Sequence, residues 1–294
     1  MDQFRVSATG HSLNYLPEYL ANSEGIFAKH GLSVSVSVPQ PWPKVLEDIN
    51  SGQAHAALGG IWVPSMYFRR VENYMAFAQI SERCPLSILG RKPGNFTLNN
   101  LEGATVLVAG GTGPSPFLFL SGLMAEAGVD RNRVRIVHDL TTPMLVELFM
   151  GGMGDYLAVD PLTAGRLVED RRAVLVGCLS EIGAAVPWSV YYTLPDRLAR
   201  EAEFFVRFSM AIDESMALLR SAPINEVSSL LSRLWPSASS SVLTTVATRF
   251  QANGMWATGS RIQPGPFDRW QGMIADHGLV ERPLAMAEIV HGVV

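Results

Sequence analysis

Residues 106–127 read VLVAGGTGPSPFLFLSGLMAEA: an apolar strand runs into Gly110, Gly111, Thr112 and Gly113, and a helix opens at Pro114 or Pro116. Such a turn offers backbone N–H groups at the positive end of a helix, with the Thr112 and Ser115 hydroxyls beside them. That combination suits a sulfonate, a phosphate or a carboxylate. The stretch has neither the GK[ST] ending of a nucleotide-binding loop nor the GxGxxG spacing of a dinucleotide site. A plain glycine turn with a Ser or Thr cap is the alternative reading.

A second group lies in GHSLN, residues 10–14, at the end of the first strand pattern. His11, Ser12 and Asn14 bring a titratable ring, a hydroxyl and an amide to one loop, and they are expected to contact a ligand. Helix capping by Ser12 or Asn14 would use the same atoms. A nucleophilic Ser12 with His11 as its base is conceivable, but sequence neighbours rarely point at each other, so no catalytic residue is assigned. Gly60 and Trp62 of GGIW follow another strand, and Trp62 could stack on a planar ligand or pack between helices. Trp188 could floor a cleft, whereas Trp42, between prolines, reads as a loop anchor. Thr141 or Thr142 caps a helix start. Asp160 before Pro161 reads as an N-cap, or as an acceptor for an amine or ring N–H. Arg69-Arg70 and Arg171-Arg172 read as solvated helix ends, and His55 as structural. No Lys or Arg falls in the loops 10–14, 59–62, 110–115 or 140–142. A ligand held there would carry one singly charged group on an aromatic or apolar body.

The elements that must position these residues alternate. Strand patterns at 4–9, 32–39, 54–60 and 75–81 are separated by helical ones at 16–31, 43–52 and 63–71, which predicts a mostly parallel sheet with helices on both faces. In 85–103 a strand runs into a Pro/Gly/Asn-rich stretch, which breaks the rhythm and reads as a crossing to a second lobe. There, strands at 104–109, 134–140, 155–160 and 173–179 alternate with helices at 114–127, 142–152 and 161–170. The apolar run 186–195 reads as the return crossing, and the rest is mainly helical. The expected division is 1–88 plus 190–294 for the first lobe and 89–189 for the second. Ligands of open α/β sheets sit at the carboxyl ends of strands, so the loops named above should line a cleft between the lobes.

The totals bound the function. The 294 residues carry a formal net charge of −4 with 17% charged residues and no basic run, so a nucleic-acid partner is not expected. The two cysteines, Cys84 and Cys178, read as buried thiols; no metal spacing and no cofactor motif is present. No apolar stretch is long enough to insert into a membrane. No signal-peptide pattern opens the chain, so it is expected to be cytoplasmic as written, and periplasmic where a leader has been removed.

Several segments carry a resemblance: LPEYLANSEGIFAKHGLSVSV, INSGQAHAALGGIWVPSM, NNLEGATVLVAGGTGPSPFLFLSGLMAEAGVD, LVELFMGGMGDYLAVDP and GLVERP. In this order they are similar to solute-binding proteins of the nitrate, sulfonate and taurine type, a group that includes the pyrimidine-precursor proteins of thiamine metabolism. The resemblance implies a two-lobed clamp of the type II periplasmic-binding kind. It implies delivery of a small organic anion, such as a sulfonate, an aromatic carboxylate or a pyrimidine-type compound, to a membrane permease of the ABC type. The same scaffold serves cytoplasmic enzymes, so a lyase, decarboxylase or hydrolase acting on an aromatic or heterocyclic acid is the alternative. The cysteine-rich motif of the yeast-type thiamine-pyrimidine synthase is absent. The nucleophilic cysteine of the aromatic sulfinate desulfinase falls on Ser12, and its catalytic arginine near Ala57. Both departures argue against that chemistry.

Overall fold

The computed structural model describes residues 1–110 and 113–292. Its strands are β1 (Asp2–Ala8), β2 (Leu32–Ser37), β3 (Ala56–Gly60), β4 (Met75–Ser81), β5 (Ser87–Gly90), β6 (Thr105–Val108), β7 (Arg135–Val137), β8 (Tyr156–Val159), β9 (Val174–Cys178) and β10 (Ser189–Thr193). The chain divides into two compact units. One comprises Met1–Glu82, Ala185–Pro223 and Gly254–Val294; the other comprises Arg83–Ala184 and Ile224–Asn253.

In the first unit the strand order is β2-β1-β3-β10-β4. β1 lies parallel to both β2 and β3, as strands joined through helices must. The strict alternation of LSVSVS makes β2 an edge strand with one wet face: Leu32 and Val34 are buried, Ser33 and Ser35 exposed. Helix Ala202–Ser221 brings Phe205 and Phe208 onto this sheet. Phe208 stacks on Phe4 at 4.3 Å, and Phe205 meets Phe77 edge-on at 4.8 Å. The single helix expected over 16–31 is instead Leu16–Ser23 and Ile26–Lys29. Gly25 between them takes a left-handed φ of 66°, which ends the first helix without a steric cost.

The second unit repeats the plan with order β7-β6-β8-β5-β9. β6 is parallel to β7 and β8, while β5 runs antiparallel between β8 and β9. In the same way β10 runs antiparallel between β3 and β4. In each sheet four strands thus run the same way, as expected, and one inserted strand runs against them. The stretches read as crossings each contain an inserted strand, and the reason is burial: Val190, Tyr191 and Tyr192 are all 0% exposed, so this run needs cover on both faces.

The helices of 224–253 fall in the second unit, not with the first lobe as the sequence suggested. Helix Ser240–Ala252 packs on helix Pro161–Glu169 at Gly165, where an added Cβ would lie 2.5 Å from Val242 Cγ1. Gly165→Ala should therefore lower stability by about 1 kcal/mol, although alanine is the better helix former. A urea midpoint that rises instead would show that the two helices can part at no cost.

Candidate functional site

The carboxyl ends of β1, β3 and β4 gather the first group of expected ligand contacts, together with the start of the antiparallel β10. After β1 the chain turns through Gly10 and His11 into a 3-10 turn at Leu13–Tyr15, with Ser12 at its N-cap. Ser12 does not cap with its side chain. Its hydroxyl donates to Asn14 Oδ1, and its N–H donates to Tyr19 OH at 3.3 Å. Asn14, 2% exposed, donates through Nδ2 to Ser81 Oγ and Ser189 Oγ, each at 3.1 Å. One amide thus ties the β1 loop to the end of β4 and the start of β10. His11 is exposed and tilted against the Tyr19 ring at 5.0 Å. The Ser12 hydroxyl proton goes to the Asn14 amide rather than to a base, which is not the arrangement of an activated nucleophile.

Gly60 ends β3 opposite Ser189, which brings it to the same edge. Trp62 is 7% exposed and stacks on Trp42 at 5.7 Å and 18°. The stack makes Trp42 the anchor its sequence context suggested and occupies one face of Trp62. Trp188 stacks on Trp270 at 5.8 Å, and its backbone N–H donates to Ser81 O at 3.1 Å.

The second unit presents three helix starts at the carboxyl edge of its own sheet. Helix Ser115–Glu126 follows β6, Thr142–Met150 follows β7, and Pro161–Glu169 follows β8. Asp160 is the N-cap of the third: its Oδ1 accepts from Leu162 N at 3.1 Å and Thr163 N at 2.9 Å. Its capping role is thus directly visible. The other two have no side-chain cap. Pro114 occupies the N-cap of the first, and Thr141 that of the second without turning its hydroxyl inward. Both keep the positive end of the helix dipole at this edge without a carboxylate from the N-cap residue beside it. Ser115 is 8% exposed in the first turn, and Gly113, at φ 131°, donates to Gly110 O at 3.0 Å. Gly111 and Thr112, also expected to bind, lie outside the described residues.

Sequence reading passed over His138 and Asp139, which follow β7, Asp139 next to Gly110. The His138 ring stacks on Phe117 at 4.2 Å and 19°, and its Nδ1 meets Asp139 Oδ2 at 2.8 Å. Asp139 holds a left-handed φ of 65°, and its N would lie 3.5 Å from a Cβ on Gly110. With Nδ1 engaged, Nε2 has no partner among the described residues. A titratable residue closing the strand of VRIVHDL was the available signal. Arg83 was also missed. Its Nη1 donates to Ser180 O and Gly183 O at 3.2 and 3.0 Å, so it braces a loop. Glu18, 1% exposed on the helix behind the first edge, accepts from Tyr191 OH at 2.9 Å, and burial raises its pKa to about 7. Cys84 and Cys178 are free and buried, and burial pushes both thiols up. Among the described residues no three His, Cys, Asp or Glu side chains gather as a metal site, and no helix is long and apolar enough to cross a membrane.

Residues 12–225 match the family described as NMT1/THI5 like. The chain belongs to that family. The protein YtlA of Bacillus subtilis (strain 168) is 18% identical to it over 297 residues, covering 99% of this chain and 88% of that protein. Among solved structures, the periplasmic aliphatic sulphonate binding protein SsuA of Escherichia coli superposes with a TM-score of 0.75 at 15% identity, over 98% of this chain and 97% of that one. The alkanesulfonate-binding protein SsuA of Xanthomonas axonopodis pv. citri, bound to MOPS, gives 0.73 at 15% identity over 99% of each chain. The desulfurization enzyme DSZB gives 0.65 at 14% identity, over 99% of this chain and 97% of that one. The fold of this NMT1/THI5-like chain is thus the two-lobed α/β fold of periplasmic binding proteins.

Proposed function

We propose that this protein binds a small organic anion, a sulfonate, aromatic carboxylate or pyrimidine-type compound, as the solute-binding component of an ABC-type importer. The observation that carries the reading is the pair of uncapped helix starts at 115 and 142, beside a third that Asp160 has capped. Helix starts without side-chain caps favour an anion through N–H groups and dipole together. His138 adds a polar atom to the same edge. Asp139 orients the ring through its Nδ1 contact. The sulfonate-binding relatives support the choice of anion.

A thermal-shift panel of alkyl and aryl sulfonates, sulfinates, aromatic carboxylates and pyrimidines tests this. A solute at 100 times its dissociation constant should add about 2.7 kcal/mol of stability. His138→Ala should weaken binding of the best solute by about tenfold while leaving the ligand-free melting temperature in place. Solute recovered unchanged from the complex supports transport, and recovery as product would move the assignment to an enzyme. A flat panel across every class would remove the anion-binding reading.

A further inference from the structure

β4 is the last strand of the first sheet, so one of its edges has no neighbouring strand. Two separate segments cover that edge. Towards the end of β4, Gln79 N–H donates to Ser260 O at 2.7 Å, and the Gln79 side chain donates to Arg261 O at 3.2 Å. Towards its start, His291 N–H donates to Ala76 O at 2.8 Å beside the Ala76–Val290 bridge. Where the two covers do not meet, a hollow of about 350 Å³ remains.

Its lining combines an apolar floor with unspent polar groups. Phe77 and Ile262 are 4% and 2% exposed, and Val290 joins them. Arg261 lines the hollow and forms no ion pair among the described residues. His291 lines it too, and its Nδ1 is buried with no hydrogen-bond partner among them. Local carboxylates are committed elsewhere: Asp213 accepts from Ser260 N–H, and Glu288 holds Arg282 through contacts of 2.7 and 2.9 Å. A hollow of this size lies at the small end of the range for ligand pockets.

We propose that this hollow is a second binding site, for a small monocarboxylic acid with an apolar tail. The carboxylate pairs with the Arg261 guanidinium, and the tail lies on Phe77, Ile262 and Val290 beside His291. The site belongs to the first unit alone. It opens on the outer edge of β4 near Ala76, whereas the candidate solute contacts cluster at the other end of that strand, at Ser81. It is therefore independent of the function proposed above.

Calorimetric titration of the full-length protein with octanoate tests the proposal. Wild type should bind it, Arg261→Ala should bind about tenfold more weakly or worse, and Arg261→Lys should recover part of the loss. His291→Ala, which keeps the backbone bond to Ala76, should also weaken binding. Arg261 is exposed, so its replacement should leave cooperative unfolding unchanged. Absence of octanoate binding to wild type would overturn the proposal. So would binding that survives unchanged in both Arg261→Ala and His291→Ala.

Discussion

Glu18→Gln is expected to remove most of a stability loss that the wild-type protein suffers as pH rises from about 4.5 to about 7. Glu18 lies 1% exposed on helix Leu16–Ser23, with Tyr191 OH donating to Oε2 at 2.9 Å. Its Oε1 has no partner among the described residues. One hydrogen bond does not replace the water that a carboxylate loses, and burial therefore raises the pKa to about 7 against 4.5. Between those values the folded protein holds a proton that the unfolded chain has released. Stability is then full below pH 4.5 and falls as pH climbs to 7, by about 3 kcal/mol for a shift of this size. Glutamine keeps the acceptor for Tyr191 and cannot ionise. Urea unfolding at pH 5 and pH 9 should show Glu18→Gln near wild type in acid and more stable in base. A mutant whose decline from acid to base matches that of wild type would show that Glu18 is not the titrating group.

Asn14→Ala should cost about 3 kcal/mol, because it deletes a fully engaged buried amide rather than a surface contact. The amide accepts from Ser12 and donates to Ser81 and Ser189, so three hydroxyls each lose a partner at once. Ser189 sits on the strand inserted between β3 and β4, where no covalent turn links it to either neighbour. Loss of this tie should loosen the register of β10 at its start. Amide exchange at 189–190 should speed up more than exchange in β2. A double-mutant cycle with Ser189→Ala should show coupling of about 1 kcal/mol. Additive effects would mean that Asn14 only fills space.

Much of the fold was readable because each element carries its own period. LSVSVS alternates strictly and forms β2; MAFAQIS is an apolar run bounded by polar residues and forms β4 over the expected residues. Proline at 161 and aspartate at 160 marked a helix start whose cap is local chemistry. The family also followed from ordered local segments, since residues 12–225 match it. Partner choice was not readable in this way. Nothing within 186–195 says that Val190 must pair with Gly59 and Gln79, because a strand buried on both faces has no period that reveals its neighbours.

The candidate site divides along the same line. Residue types and strand ends were enough to mark the loops at 10–14, 59–62 and 140–142, because a parallel strand must end beside the next helix start. What each side chain does there depended on residues distant in sequence. Asn14 is engaged by Ser81 and Ser189, 67 and 175 positions away, and so acts as a tie. Trp62 meets Trp42, and His138 finds Phe117 and Asp139. By itself the sequence determined the family, most strands and helices and the Asp160 cap, because these elements rest on patterns within a few residues. The tertiary structure alone decided which buried groups are already satisfied, because a hydrogen bond spends an atom on whatever the fold brings within 3 Å of it.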